Sequence, residues 1–203
     1  HTTTRRQRQM CIRDRYIVYD NFEFFTFAQV APDLKDRVLT VNGVSKSHCM
    51  TGWRIGYAVG PEILIKAMIK IQGQSTSNAS SISQYAALAG ISGSNDFLKP
   101  CLKAFDERRR FVVSKLNNIQ GISCLLPKGA FYAYPNVSGL VGKKTNEGII
   151  LKNDTDIVEW LLETAEVAAV PGVAFGLEPF FRISYATSLD LLKEAMNRIE
   201  KAV

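Results

Sequence analysis

Apolar residues recur at helical spacing through the middle of the chain. After Pro61, apolar side chains share one face and charged residues occupy the other, which predicts a helix that faces the core. Its apolar residues are Ile63, Leu64, Ala67, Met68 and Ile71. A second helix is predicted from about Ser83 to Ile91. From Asn95, apolar residues recur over about six turns, which predicts one long helix over 95–120.

Shorter apolar runs predict strands. Residues 37–41 and 55–59 predict two short buried strands, separated by a loop of small residues. An apolar run at 122–126 and an aromatic-rich run at 130–134 flank a Pro-Lys-Gly turn, which predicts a hairpin. A further strand is predicted over 180–186. This mixture of helices and strands indicates an α/β fold.

The long helix divides the predicted elements into two groups. Residues 16–94 form the first group, the helix over 95–120 follows, and residues 121–203 form a smaller α+β unit. Within this unit, Asp154 or Thr155 is predicted to cap a helix. A helix of this length in so short a chain suggests a spine that joins two domains.

The composition is that of a globular protein. Of the 203 residues, 46% are hydrophobic and 22% are charged, which is enough to build a substantial core. No apolar run approaches the roughly 18 residues of a membrane span, and the N-terminus has no apolar signal-peptide core. The four cysteines show neither metal-ligand spacing nor a disulfide framework. We therefore expect a cytoplasmic protein with reduced thiols, no metal and no membrane partner.

The first fifteen residues carry +4 of the chain's net charge of +6. The charged residues there are Arg5, Arg6, Arg8, Arg13, Asp14 and Arg15. Residues 5–14 resemble the in-frame translation of a transposase adapter used in sequencing libraries, so we expect residues 1–15 to be a non-native arm. The alternative is a basic arm that binds RNA or a membrane, which the lack of interleaved aromatic residues disfavours. Since the remaining charge is nearly balanced, we expect no nucleic-acid partner.

The loop between the first two predicted strands carries the candidate chemistry. Lys46 follows the first strand, and Arg54 lies eight residues later, before the second. An amine in a partly desolvated pocket loses its proton more readily and can then attack a carbonyl carbon. A guanidinium offers a rigid fork of donors that suits a phosphate. Such a pair is what a pyridoxal-phosphate enzyme needs, although a lone lysine is more often a solvated charge and a lone arginine an ion-pair partner.

A second candidate lies in the last predicted strand. Arg182 stands among apolar and aromatic residues, and an unpaired buried guanidinium is very costly, so it must meet an anion. That anion is either a structural aspartate or glutamate of the protein itself or the carboxylate of a ligand. A guanidinium fork can bind a carboxylate through two hydrogen bonds and fix its orientation.

The order of residues around Lys46 is more specific than any one of them. Ser-Lys at 45–46, five intervening residues, and Gly-Trp-Arg-Ile-Gly-Tyr at 52–57 resemble the coenzyme-lysine signature of the class I aminotransferases of fold type I. Phe-Arg-Ile-Ser-Tyr-Ala at 181–186 resembles the motif whose arginine holds the substrate's α-carboxylate. The resemblance extends over 16–203 and is strongest toward bacterial aspartate-type enzymes.

The resemblance implies roles for four residues. Lys46 would bind pyridoxal 5'-phosphate covalently and then move a proton, while Arg54 would anchor the coenzyme phosphate with help from the Ser45 hydroxyl. Arg182 would hold the α-carboxylate of the substrate. The reaction implied is amino transfer between an amino acid and a 2-oxo acid, in a homodimer.

The resemblance also implies a domain plan. Residues 16–94 would be the C-terminal part of a large, mostly parallel-sheet coenzyme domain, 95–120 the inter-domain helix, and 121–203 the small domain. In the family, an aspartate that pairs with the pyridine nitrogen and a tyrosine that meets the phenolic oxygen precede residue 16. Here that place falls in the foreign-looking arm, and we carry neither role onto Asp14. We therefore expect a chain that lacks its N-terminal half and is inactive alone.

Two other functions remain open. The first is a pyridoxal-phosphate-dependent lyase or synthase, because a fold does not fix the reaction. The second is the aminotransferase-like sensor domain of a transcription regulator, which a helix-turn-helix module upstream would indicate.

Overall fold

The computed structural model describes residues 16–146 and 148–203 and divides them into two compact units. The first unit ends at Lys99, and the second is Pro100–Val203. The division falls near the start of the helix predicted over 95–120, and the domain assignment of that helix stays a prediction. The arm at residues 1–15 lies outside the described residues.

The first unit is built from one two-stranded sheet and helices. Its helices and strands are α1 (Phe27–Val30), β1 (Thr40–Gly43), β2 (Gly56–Val59), α2 (Glu62–Ser75) and α3 (Ser81–Ser92). Strands β1 and β2 pair in antiparallel register, with Gly43 opposite Gly56. The prediction that these strands are buried is wrong, since the Val59 side chain is 64% exposed. The reason is that each strand has one neighbour in this sheet, and a two-stranded sheet cannot cover its own faces.

Helix α2 confirms the predicted helix but not its predicted burial. None of its residues is buried, and Ile63 and Ile71 are 83% and 70% exposed. Periodicity shows which side chains share a face, whereas burial of that face requires a second element packed against it.

The second unit is a small α+β fold. Its elements are α4 (Leu98–Asn117, which begins in the first unit), β3 (Tyr132–Ala133), α5 (Asp154–Ala165), β4 (Val170–Pro171), β5 (Phe181–Ser184) and α6 (Leu189–Ala202). The strands form an antiparallel sheet in the order β3-β5-β4. Every pair of strands in the described residues is antiparallel, so the predicted parallel sheet is not seen among them.

The predicted hairpin of 122–126 with 130–134 is wrong. Strand β3 pairs with β5, and Ser123 of the first segment forms an isolated antiparallel bridge with Asn136, which lies two residues beyond the second segment. The central strand β5 offers β3 an antiparallel partner whose Phe181 and Ile183 are buried, and these long-range contacts outweigh the local turn signal.

Helices α5 and α6 pack on each other and bury apolar stripes. In α6, Leu192, Met196 and Ile199 are buried at helical spacing, and each such side chain contributes about 1.5–3 kcal/mol to stability.

The predicted cap of α5 is also wrong. The N-cap is Asn153, whose side chain accepts a hydrogen bond from Asp156 N at 2.9 Å, while Asp154 is the first helical residue and is buried.

Candidate active-site residues

Lys46 lies in a turn that directly follows β1. The turn is closed by hydrogen bonds from His48 N to Val44 O at 3.1 Å and from Cys49 N to Lys46 O at 3.4 Å. The Lys46 side chain is half-buried, and its amine has no hydrogen-bond or ion-pair partner among the described residues. The amine of a half-buried lysine that no described residue pairs is available to a ligand.

His48 anchors the Lys46 turn to helix α3. Its Nε2 lies 3.1 Å from Gly90 O, and its Nδ1 lies 2.8 Å from Ser47 Oγ, with Ser47 buried. Because a carbonyl oxygen only accepts, Nε2 carries the ring proton in this contact. The rings of Tyr16 and Phe97 each lie 5.5 Å from the His48 ring. His48 therefore packs between neighbouring elements, and it fixes the turn two residues after Lys46.

Arg54 ends the short 3₁₀ turn Thr51–Trp53 and precedes β2. Its backbone is left-handed, with φ of 51°, which is unfavourable for a residue with a side chain. The guanidinium is exposed, and its Nη1 donates to Thr51 O at 3.1 Å. It forms no ion pair with any described residue. Since Gly43 and Gly56 pair at the loop end of the β1–β2 hairpin, the loop that carries Ser45, Lys46 and Arg54 begins and ends at the same end of the sheet.

Arg182 is the second residue of β5, in the second unit. Its Cζ lies 4.5 Å from the centre of the Tyr132 ring and 4.4 Å from the centre of the Phe175 ring. In the described part of the chain it has no acidic partner, so the alternative of a structural aspartate or glutamate is not found there. The aromatic faces favour the cation, and the donors at the edge of the guanidinium remain for an anion.

The loop after β4 supplies one of these rings. It contains the 3₁₀ turn Gly172–Phe175 and packs against Tyr134, whose hydroxyl lies 3.3 Å from both Gly172 O and Leu177 O. Burial raises the pKa of Tyr134, and the Asp154 carboxylate adds to the rise while Arg182 opposes it. A side chain at position 172 is excluded, because its Cβ would lie 2.1 Å from Leu177 O.

Sequence reasoning missed the residues that surround Arg182. Tyr132 belonged to the aromatic-rich run that predicted a hairpin, and Phe175 follows a Pro-Gly break without any periodic signal. One feature of the sequence could have indicated them. Arg182 lies on a short apolar strand with no acidic residue beside it, and a guanidinium in that setting is stabilised by aromatic neighbours as well as by an anion. Lys46, Ser45 and Arg54 share one loop of the first unit, and Arg182 lies in the second.

The sequence matches the family Aminotransferase class I and II over residues 16–199, and the chain belongs to this family. A curated aspartate aminotransferase from Rhizobium meliloti (strain 1021) is 57% identical over 187 residues, which are 92% of this chain and 46% of the relative. A probable aspartate/prephenate aminotransferase from Rickettsia felis is 53% identical over 92% of this chain and 46% of its own length. The chain thus spans about half the length of the curated relatives it matches.

The chain is also similar in fold to solved structures of aminotransferases. The crystal structure of the Rhizobium meliloti aspartate aminotransferase superposes with a TM-score of 0.90 at 56% identity, over 94% of this chain and 48% of that chain. An aromatic aminotransferase from Pyrococcus horikoshii gives 0.83 at 33% identity, over 94% and 49%. These neighbours mix helices and strands, as the described units do.

The family depends in general on pyridoxal phosphate, and the described residues fit part of that coenzyme. The loop after β1 provides an amine, a hydroxyl and a guanidinium, from Lys46, Ser45 and Arg54. Ser45 is half-buried, and its hydroxyl makes no hydrogen bond with any described residue. An amine can capture an aldehyde, and a hydroxyl and a guanidinium on the same loop can donate to a phosphate, so these groups match the coenzyme.

Among the described residues, none of the helices combines the length and the apolar character of a membrane span.

Proposed function

We propose that this chain serves a pyridoxal-phosphate-dependent transamination between an amino acid and a 2-oxo acid, of the aspartate aminotransferase type. The observation that carries the proposal is the half-buried Lys46, whose amine has no partner in the described residues and which follows β1 in the matched segment. The names of the Rhizobium and Rickettsia relatives support a transaminase over a lyase or a regulator. We place the activity in the cytoplasm and in a homodimer.

Four residues of this chain carry the proposed roles. Lys46 Nζ would hold the coenzyme covalently, and as a free amine it would move the proton between the substrate Cα and the coenzyme carbon. Arg54 would bind the phosphate through its guanidinium fork, with the Ser45 hydroxyl as a further donor. Arg182 would bind the α-carboxylate and orient the amino acid. The coenzyme, when bound, supplies the electron sink for the pair left at Cα.

The domain plan is part of this proposal. Residues 16–94 would belong to the large coenzyme domain, 95–120 to the connecting helix and 121–203 to the small domain. Since the chain spans about half the length of its relatives, we propose that activity needs a chain of their length. The 203 residues alone would then be inactive.

A chimera tests the proposal directly. Residues 16–203 replace the matching segment of the Rhizobium meliloti relative, which is 57% identical. We expect the chimera to transfer the amino group of aspartate to 2-oxoglutarate, and Lys46→Ala to abolish turnover. Prephenate is tested as a second acceptor, because the Rickettsia felis relative is named for it. Lys70→Ala is the matched control, since Lys70 is an exposed lysine of the same unit.

The same chimera separates the alternatives. A transaminase without an acceptor stops after one equivalent of amino acid, whereas a lyase continues to turn over. Sustained turnover of the amino acid in the absence of any 2-oxo acid would contradict the proposal. If Arg54 binds the coenzyme phosphate, Arg54→Ala should weaken coenzyme binding. The same change at a surface arginine should not.

A further inference from the structure

We propose that Asp154 is a positioning residue for Arg182. Its buried carboxylate holds the segment 172–180 so that Phe175 covers one face of the Arg182 guanidinium. The inference rests on the proposed function, in which Arg182 binds the substrate carboxylate, and it adds a residue that the sequence assigned to a helix cap.

Asp154 is buried, with 1% of its surface exposed, and forms no ion pair with any described residue. Its Oδ2 accepts hydrogen bonds from Val173 N at 3.1 Å and from Phe180 N at 3.4 Å. A buried carboxylate is costly unless it is hydrogen-bonded, and bonds from backbone amides to an ionised carboxylate are strong ones. The two donors lie on either side of Phe175 in sequence, so the carboxylate ties together both ends of the segment.

The backbone of the segment 172–180 has little conformational freedom. A Cβ at Gly172 would meet Leu177 O at 2.1 Å, Phe180 O at 2.8 Å and Asp154 Oδ2 at 3.0 Å. The Tyr134 ring also stacks on Phe180, with centres 5.3 Å apart. The path of the backbone through Phe175 is therefore set by contacts with Asp154 and Tyr134.

The two rings beside the Arg182 guanidinium are held in place by different means. Tyr132 belongs to β3, whose pairing with β5 places Tyr132 opposite Ser184, two residues after Arg182. Phe175 belongs to no strand and depends on the segment that Asp154 holds. The two rings lie within 4.5 Å of Arg182 Cζ and restrict the position of the guanidinium, whose N–H donors can then meet a carboxylate. Losing one ring would let the side chain move away from that orientation.

The 203-residue chain tests the positioning by the NMR signal of the Arg182 Nε–H group. Arg182→Lys identifies the signal by its loss. We expect ring currents to shift it upfield of the other arginine signals, and both Asp154→Asn and Phe175→Leu to move it back toward them. Asp156→Asn is the control, since Asp156 lies in the same first turn and its Oδ2 accepts from Lys152 N at 2.8 Å.

An Arg182 signal that stays in place in a folded Asp154→Asn variant would overturn the inference. Asp154→Asn keeps the shape of the side chain and one acceptor oxygen, and circular dichroism checks that it is folded. If this variant unfolds, Asp154 is a structural residue of the whole unit and the inference fails as well.

The chimera then gives a kinetic readout. We expect Asp154→Asn to raise KM for aspartate about tenfold with kcat little changed, as loss of one aromatic face implies. If Arg182→Ala leaves KM unchanged, the proposed role of Arg182 fails. If Arg182→Ala raises KM and Asp154→Asn does not, only the positioning role of Asp154 fails.

Discussion

Replacing Arg182 by alanine should damage substrate binding more than folding. The side chain makes no ion pair with the described residues, so the fold loses contacts with the rings of Tyr132 and Phe175, worth about 0.5–2 kcal/mol each. A substrate carboxylate would lose two charge-assisted hydrogen bonds, at about 1.5–3 kcal/mol each. That sum corresponds to a fall in kcat/KM of roughly 10²–10⁴-fold.

Steady-state kinetics of the chimera with aspartate and 2-oxoglutarate provide the assay. The loss should fall mainly on KM, because the carboxylate is bound both before and during the reaction. Arg198→Ala is the matched control: Arg198 lies on α6 of the same unit and pairs with Glu166 and Glu194 at the surface. Equal effects of the two substitutions, or an unchanged KM for Arg182→Ala, would refute the carboxylate-binding role.

Three further predictions follow from other parts of the molecule. Deleting residues 1–15 should leave the melting temperature of the chain unchanged, and a fall of several degrees would show that the arm belongs to the fold. The raised pKa of Tyr134 means that the folded state retains a proton that the unfolded state releases, so stability falls as the pH rises above about 10. Chemical denaturation between pH 9 and 11 should show that Tyr134→Phe loses less stability with rising pH than the unchanged chain. Equal losses would show that Tyr134 does not cause the fall in stability. The 203-residue chain alone should show no transamination with added pyridoxal phosphate, whereas turnover would show that these residues suffice.

Much of the local structure could be predicted from the sequence. The helix after Pro61 follows from apolar spacing, and the helix after Ser188 follows from apolar spacing and the serine N-cap, which act within a few neighbouring residues. The Lys46 turn between β1 and β2 follows from two short apolar runs and the small residues between them. These features depend on short stretches of chain, and the sequence contains what determines them.

Other features depend on contacts between distant residues. Asp154 had the sequence of a helix cap, yet its carboxylate bonds to Val173 and Phe180, which no local pattern indicates. Arg182 required a counterion by charge alone, and the structure gives it two aromatic rings. The exposed face of α2 shows the same limit, because amphipathicity identifies an apolar face without identifying what covers it.

The central claim is that Lys46 is the coenzyme lysine, and covalent trapping tests it most directly. The chimera is mixed with pyridoxal phosphate, reduced with borohydride, digested and examined by peptide mass spectrometry. We predict one phosphopyridoxyl group per chain, confined to Lys46 and lost in Lys46→Ala, with Lys70 unlabelled. Labelling at another lysine, or labelling and turnover that persist in Lys46→Ala, would contradict the assignment.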